Sequence, residues 1–471
     1  MLKMMFKGTY PGRLRWRTAR MSLLLVFLLW PAMAAAGEVL IEPGTVRVGL
    51  MQLVPVVEFA IEGSYQIIDT GSKQAVAVPR PGERWQVRTS GNQLELLRNG
   101  VLVNTFTGAL QVRENKYQVA VLSGSGALVN RSSGEGMIAL GAGNRSVSLR
   151  NFSGLNILSA QGQVEAGQPG GQNLLVLYSE GRGQRYRGNL EVRRDEQGLT
   201  AINELPVEEY LYGVVPSEMP ASWPAEALKA QAVAARSYAL AQLGSYGRYG
   251  FDLLATQSSQ VYKGYDGENP ATTRAVEETR GLIMTYRGLP VDAVFHSSSG
   301  GTTENSEDVW KNSVDYLRAR PDPADFNDKY YNWKVAYSID QLISQLNSKD
   351  YQFSQVEDLL ELERTSTGKR VKRLAVKGLD IDGNSVVKEV YNANAVRVAL
   401  GLKSAFFTMQ KEVDQQQKLL RVTFEGNGYG HGLGMSQYGA LGLAGQGYSY
   451  RDILKYYYTG IALSGNYGGQ E

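Results

Sequence analysis

The only two histidines of this 471-residue chain stand in segments built of glycine and serine. His296 lies in Phe295-His296-Ser297-Ser298-Ser299-Gly300-Gly301, and His431 in Gly428-Tyr429-Gly430-His431-Gly432-Leu433-Gly434-Met435-Ser436-Gln437-Tyr438-Gly439. Both segments form turns rather than core faces, and that placement points to a site. A histidine in a turn can equally be a hydrogen-bonded loop residue, since imidazole serves either use near neutral pH. A third segment sets one carboxylate between two prolines, Pro216-Ser217-Glu218-Met219-Pro220. Proline cannot donate to a helical ladder and restricts the residue before it, so Glu218 is expected on a stiff connector. Two other patterns carry little. Gly426, Gly428 and Gly430, after the strand expected at 420–424, have the wrong spacing for a dinucleotide loop. Gly434-Met435-Ser436-Gln437-Tyr438 lacks the last glycine of a nucleophile elbow, and no ordered Asp and His follow it.

The elements around these segments must position them. Behind Pro206 a short helix is expected over 207–213, with Glu208 and Glu209 in the first turn, where the helix dipole favours carboxylates; both read as structural. Ser222-Trp223-Pro224 opens a second helix that runs to about Gln242. Its many alanines let another backbone approach closely. Gln231 and Tyr238 share one face of it, while Arg236 points elsewhere. A polar Gln231 amid alanines is either paired in the core or lines a cleft next to Glu218. Further along, Ser338 and Gln341 form a capping box, and Asp382-Gly383 turns a hairpin between 374–376 and 386–387. A last helix starts near Ser449, with Asp452 three residues on and Gly460 at its end. Its Tyr456-Tyr457-Tyr458 run could stack on sugars but reads more readily as core.

The region 37–167 differs in texture. It is Gly-rich, with β-branched and aromatic runs such as Thr45-Val46-Arg47-Val48 and Tyr117-Gln118-Val119-Ala120-Val121, and with Asn99-Gly100 between two strand-like runs. It holds no constellation of acids, histidines or nucleophiles, so it reads as a β-rich scaffold or partner-binding domain. The fold class is therefore α+β: a mixed α/β catalytic region over 168–471, preceded by a β-rich domain.

Export is expected from the N-terminus. Lys3, Lys7, Arg13, Arg15, Arg17 and Arg20 precede an apolar run from Met21 to Trp30, and Ala34-Ala35-Ala36 follows. That run is shorter than the roughly 20 residues a bilayer span needs, so residues 1–36 read as a signal peptide cleaved after Ala36, or as an uncleaved anchor. Either way the bulk of the chain belongs in the periplasm or cell envelope. Removing 1–36 takes six positive charges and no acidic one from the formal +3, leaving −3. Such a balance offers no basic excess for nucleic acid. The absence of cysteine excludes disulfides and thiolate metal sites.

Several motifs together resemble the sporulation stage II protein D / LytB family. They are Glu208-Glu209-Tyr210-Leu211 with Gly213-Val214-Val215-Pro216-Ser217-Glu218-Met219-Pro220; Leu228-Lys229-Ala230-Gln231-Ala232-Val233-Ala234-Ala235-Arg236-Ser237-Tyr238; Ser259-Gln260-Val261-Tyr262; and the block from Gly430-His431-Gly432 to Tyr438-Gly439-Ala440. The resemblance runs from about Tyr186 to Gly460. It implies a mixed α and β fold and peptidoglycan as substrate: characterised members are lytic transglycosylases, and the LytB branch is described as enhancing wall amidases. By the same resemblance Glu218 matches the catalytic acid. Arg236, Tyr238, His296, Ser298, His431, Gln437 and Tyr438 match as hydrogen-bond donors and sugar contacts. Some members hold zinc with His and Cys; this chain departs from them, and neither a metal nor a cofactor is expected.

A hydrolytic glycosidase usually needs two carboxylates, whereas a lytic transglycosylase needs one, because the muramic acid 6-hydroxyl is the internal nucleophile. Glu218 is expected to start protonated, which requires a pKa above the usual ~4.3, and burial between Val214, Val215 and Met219 could supply it. The alternative is a non-catalytic glycan-binding protein that stimulates an amidase through the same groove. The expected partners are glycan strands, peptide-stripped or not, and in the second reading a cell-wall amidase.

Overall fold

Alternating apolar and polar residues make the first strands. In Thr45–Val54, Val46 and Val48 are buried while Thr45 and Arg47 are partly exposed, the period-two pattern of a strand with one face in a core. The computed structural model describes residues 44–115, 172–195, 197–327 and 331–465, and the backbone alone of four short strands, Val119–Leu122, Leu128–Ser132, Ile138–Gly141 and Arg145–Ser148. The stretch read as a signal peptide and residues Tyr117-Gln118 lie outside these residues. Among the described residues no helix is long and apolar enough to cross a membrane.

Thr45–Val54 pairs antiparallel with Leu199–Pro206, Val46 opposite Leu205, and parallel with the two-residue strand Leu253–Leu254. These belong to a seven-stranded sheet; a six-stranded sheet contains Val56–Glu62, Trp85–Ser90 and Leu174–Ser179. Side chains from both sheets, among them Val46, Phe59, Trp85, Val112, Leu175 and Val192, share one core. The pairing joins strands on both sides of residue 167, because the backbone groups of 45–62 find their partners in 174–206. The Asn99-Gly100 turn forms as expected: both residues have positive φ, 49° and 80°, and Arg98 faces Val101 across the hairpin.

The first helix, α1 (Val207–Glu218), follows the last strand directly. It corrects the expected connector: the helix continues through Pro216 and carries Glu218 as its final residue. Proline inside a helix costs about 3 kcal/mol, but α1 buries Tyr210, Leu211, Val214 and Val215 completely, and each such side chain returns about 1.5–3 kcal/mol. Packing therefore outweighs the local penalty. The helix stops where Met219 turns extended, φ −127° and ψ 138°, ahead of Pro220.

The second helix, α2 (Ala225–Ala241), begins one residue after Pro224 and packs its alanines against α1 and against a second core that holds Met219, Leu433, Met435, Tyr457 and Tyr458. Tyr457 and Tyr458 are thus core side chains, while Tyr456 is half-buried. A third core, with Trp333, Leu359, Leu374, Phe407 and Phe424, lies between two three-stranded sheets and their helices in the span 332–427. There the Ser338/Gln341 capping box and the Asp382-Gly383 hairpin form as read from the sequence, as does the Ser449/Asp452 box at the last helix, which ends at Tyr457 before Gly460.

Candidate functional site

Glu218 sits half-buried at the C-terminal end of α1, and its Oε1 accepts the backbone N–H of Val261 at 3.0 Å. The segment that delivers this N–H is held from both helices. Gln260 accepts from the Tyr210 hydroxyl of α1 at 3.2 Å and donates to the Ala235 carbonyl of α2 at 3.3 Å. Tyr262 packs on Tyr210 with ring centroids 5.0 Å apart and donates to Asn203 at 3.0 Å. The approach needs Gly213: a Cβ there would lie 2.8 Å from the Gly264 carbonyl oxygen and from the Tyr262 ring.

Gln437, the first residue of the helix Gln437–Gly445, donates to Gln231 Oε1 of α2 at 3.4 Å, and its side-chain amide acts on Glu218 in favour of the ionised form. Gln231 is fully buried; its Oε1 takes the Gln437 amide, while its Nε2 has no partner among the described residues. Burial pushes the Glu218 carboxyl above its ordinary value, while the Val261 N–H, the Gln437 amide and the charge of Lys263 pull it back. Among the described residues, none of the groups that set this pKa is a second carboxylate. Tyr238 lies within the field of Glu218; burial first, then Asp292, raises its hydroxyl to about 12, so it is a neutral donor. Tyr438 donates its N–H to the Ser297 carbonyl at 3.0 Å and meets the half-buried Trp223 edge-on at 5.0 Å.

The two histidines meet. Phe295–His296 runs parallel to Met435–Ser436, and the imidazole centroids stand 5.4 Å apart. His296 Nδ1 bonds the Leu433 carbonyl at 3.0 Å, and His431 Nδ1 accepts the Leu433 N–H at 3.0 Å. Burial pushes both rings down, His296 well below its ordinary value and His431 to about 4. Both are therefore neutral near pH 7 and tied to the loop backbone. Among the described residues, no group of three or more His, Cys, Asp or Glu is arranged to hold a metal ion.

Two expected sugar contacts are engaged elsewhere. Arg236 is 1% exposed and grips Glu208 with both carboxylate oxygens, at 2.8 and 2.6 Å, while it also donates to the carbonyls of Val276 and Leu282. Ser298 is buried and donates to Asp325 at 2.9 Å.

The family model described as stage II sporulation protein matches residues 195–286, the stretch that carries Glu218, Gln231, Arg236, Tyr238 and Val261. Stage II sporulation protein D of Bacillus amyloliquefaciens is 33% identical over 279 residues, which cover 56% of this chain and 76% of that relative; the protein of the same name from Bacillus subtilis strain 168 shows the same figures. The chain belongs to the stage II sporulation protein D / LytB family.

A second model, described as a domain of unknown function, covers residues 311–434 of this family member. The B. subtilis protein named amidase enhancer is 34% identical over 300 residues, 54% of this chain; the chain spans 40% of that relative's length. Glu218 lies in the first matched stretch and His431 in the second, while His296 and Gln437 fall outside both.

Sequence reasoning missed the Val261 N–H, because a backbone donor has no residue signature. It also missed Asp322 and Asp325, in Arg320-Pro321-Asp322-Pro323-Ala324-Asp325, a stretch whose residue types carry no signal of burial. Both are buried, at 1% and 0% exposure. Burial, and then the charge of Asp325, raises Asp322 to about 7.

Proposed function

We propose that this protein is an exported lytic transglycosylase of peptidoglycan, with Glu218 as the group that moves the proton. The observation that carries the reading is a single half-buried carboxyl, raised by burial and held between a backbone N–H and an amide. A raised pKa lets Glu218 begin protonated. It gives that proton to the oxygen between MurNAc and GlcNAc as the C1–O bond breaks. The 6-hydroxyl of the same MurNAc attacks C1, and the Glu218 carboxylate takes the hydroxyl proton as the 1,6-anhydro ring closes. No water and no second carboxylate enter this sequence of steps. The half-buried Tyr238, Tyr438 and Trp223 supply hydroxyl donors and an aromatic edge for sugar rings beside the carboxyl. Arg236 has no part in it, since its guanidinium is spent on Glu208.

A second reading has its own support. One relative bears the name amidase enhancer, and a glycan-binding groove that stimulates a wall amidase would use the same surface. Glu218→Gln separates the two, because the glutamine oxygen can still accept from Val261 while proton transfer is lost. Mass spectrometry of soluble products from peptide-free and peptide-bearing glycan strands is the test. Anhydro-muramyl ends from the wild type but not from Glu218→Gln support the transglycosylase; a loss of 10²-fold or more is expected for removing a general acid. Reducing ends would refute it in favour of hydrolysis. No product, together with wild-type stimulation of an amidase by both chains, would refute it in favour of the enhancer.

A further inference from the structure

Behind the Glu218 site one buried carboxylate gathers donors from two distant loops. Asp325 Oδ2 accepts from the Ser298 hydroxyl at 2.9 Å, the Ser299 hydroxyl at 2.8 Å and the Gly300 N–H at 2.7 Å. Its Oδ1 accepts from the Ser436 hydroxyl at 3.0 Å. Asp325, Ser299 and Ser436 are 0% exposed and Ser298 1%, so water does not compete for these bonds. One carboxylate thereby ties the loop after His296 to the residue that caps the helix Gln437–Gly445. Ser436 is that cap, its side chain accepting from the Gly439 N–H at 3.1 Å, and the next residue is the Gln437 that reaches Glu218. No solvation need explains the arrangement: a lone acid on a loop would normally face water, and burying one with four donors is a specific construction.

We propose that Asp325 is a positioning residue for Glu218: by fixing Ser436 against the 298–300 loop, it holds the Gln437 amide beside the Glu218 carboxylate. The inference rests on the proposed role of Glu218 only for its catalytic consequence, not for the contact itself. Charged and titratable groups facing the two carboxylates are few. Asp325 meets Asp322, and Arg370 and Tyr457 act at charge distance. Glu218 meets Lys263, with Tyr210 and Tyr238 within its field. Asp322 holds the far side of the cluster, accepting from Tyr457 at 2.9 Å.

The test is a titration of the Glu218 carboxyl by carbon NMR in the full chain without substrate, the resonance being assigned by its loss in Glu218→Gln. Gln437→Ala removes the amide that favours the ionised form and should move the Glu218 midpoint upward by roughly 1 pH unit. Asp325→Ala should move it upward by a similar amount, and the double variant no further, because both changes act through the same amide. On glycan strands, kcat should fall for both single variants and its alkaline limb should move upward in pH, with KM little changed. Should Asp325→Ala not fold, Ser436→Ala removes the tethering hydroxyl together with the cap on the Gly439 N–H and should give the same upward movement. An unchanged Glu218 midpoint in a folded Asp325→Ala or Ser436→Ala chain, or shifts that add to that of Gln437→Ala, would overturn the proposal. The titration is read without turnover, so a chain that shows the coupled shifts yet cuts no glycan would sink the transglycosylase reading and leave this one standing.

Discussion

Replacing Arg236 with methionine should cost the fold about 3–5 kcal/mol while leaving substrate affinity as it was. The reasoning starts from burial: Glu208 is 7% exposed at the start of α1 and Arg236 1% in the middle of α2. The guanidinium bonds both Glu208 oxygens, at 2.8 and 2.6 Å, and gives two further N–H groups to carbonyls at 3.1 and 3.2 Å. Methionine preserves much of the stem's packing but strands the Glu208 carboxylate, whose remaining donor is the Gly281 N–H at 3.1 Å. Losing one partner of a buried pair is far costlier than losing both, so the double variant Glu208→Met with Arg236→Met should recover most of the loss. At about 2–4 °C per kcal/mol in domains of 150–250 residues, the single variant should melt on the order of 10 °C lower. Urea denaturation of the four chains in this cycle, beside KM on glycan strands, is the assay. An Arg236→Met chain of unchanged midpoint and several-fold raised KM would refute the reasoning and return the guanidinium to a sugar contact.

Two further outcomes follow from the geometry. Asp322, raised to about 7 from an ordinary 3.8, keeps a proton in the folded chain that the unfolded chain has released between those values. Its stability contribution is therefore complete below pH 4 and is lost as pH rises through 7, up to roughly 4 kcal/mol in all. His431, held down to about 4, acts oppositely, taking stability away as pH falls below 6.5. The clean observable is the stability of wild type minus Asp322→Asn, which should decline from pH 4 to 7; a flat difference would show that Asp322 titrates normally. Gly213→Ala should destabilise by about 1–3 kcal/mol, because its Cβ would stand 2.8 Å from the Gly264 oxygen and the Tyr262 ring. It should also lower glycan cleavage by shifting the Val261 N–H, and an unchanged denaturation midpoint would count against that close approach.

The elements legible in the sequence share a property: their decisive contacts span only a few residues. The Asn99-Gly100 hairpin, the boxes at Ser338/Gln341 and Ser449/Asp452, and the turn at Asp382-Gly383 are closed by neighbours in the chain. Local rules misread α1 for the complementary reason, since Pro216 is penalised locally and rescued by the remote core that buries Tyr210, Val214 and Val215. The candidate site divides in the same way. Glu218 and the two histidines could be singled out by residue type and setting, and Gln437 by the family resemblance. That the histidines meet, that Val261 from 43 positions away holds the carboxylate, and that Gln437 bridges it to Gln231 came only with the tertiary structure. So did the fate of Arg236: a guanidinium reads equally as a sugar contact or an ion-pair partner until its surroundings are known. Asp325 is the extreme case, because an acid on a loop normally faces water, and the Ser436 hydroxyl that engages it lies 111 residues away. By itself the sequence determined the helix caps, the tight turns and the residue types able to move a proton, which follow from short-range sterics and hydrogen bonding. Which side chains were buried, and hence which carboxyls could hold a proton at neutral pH, was decided by the folded chain alone, because desolvation is a property of the whole packed neighbourhood.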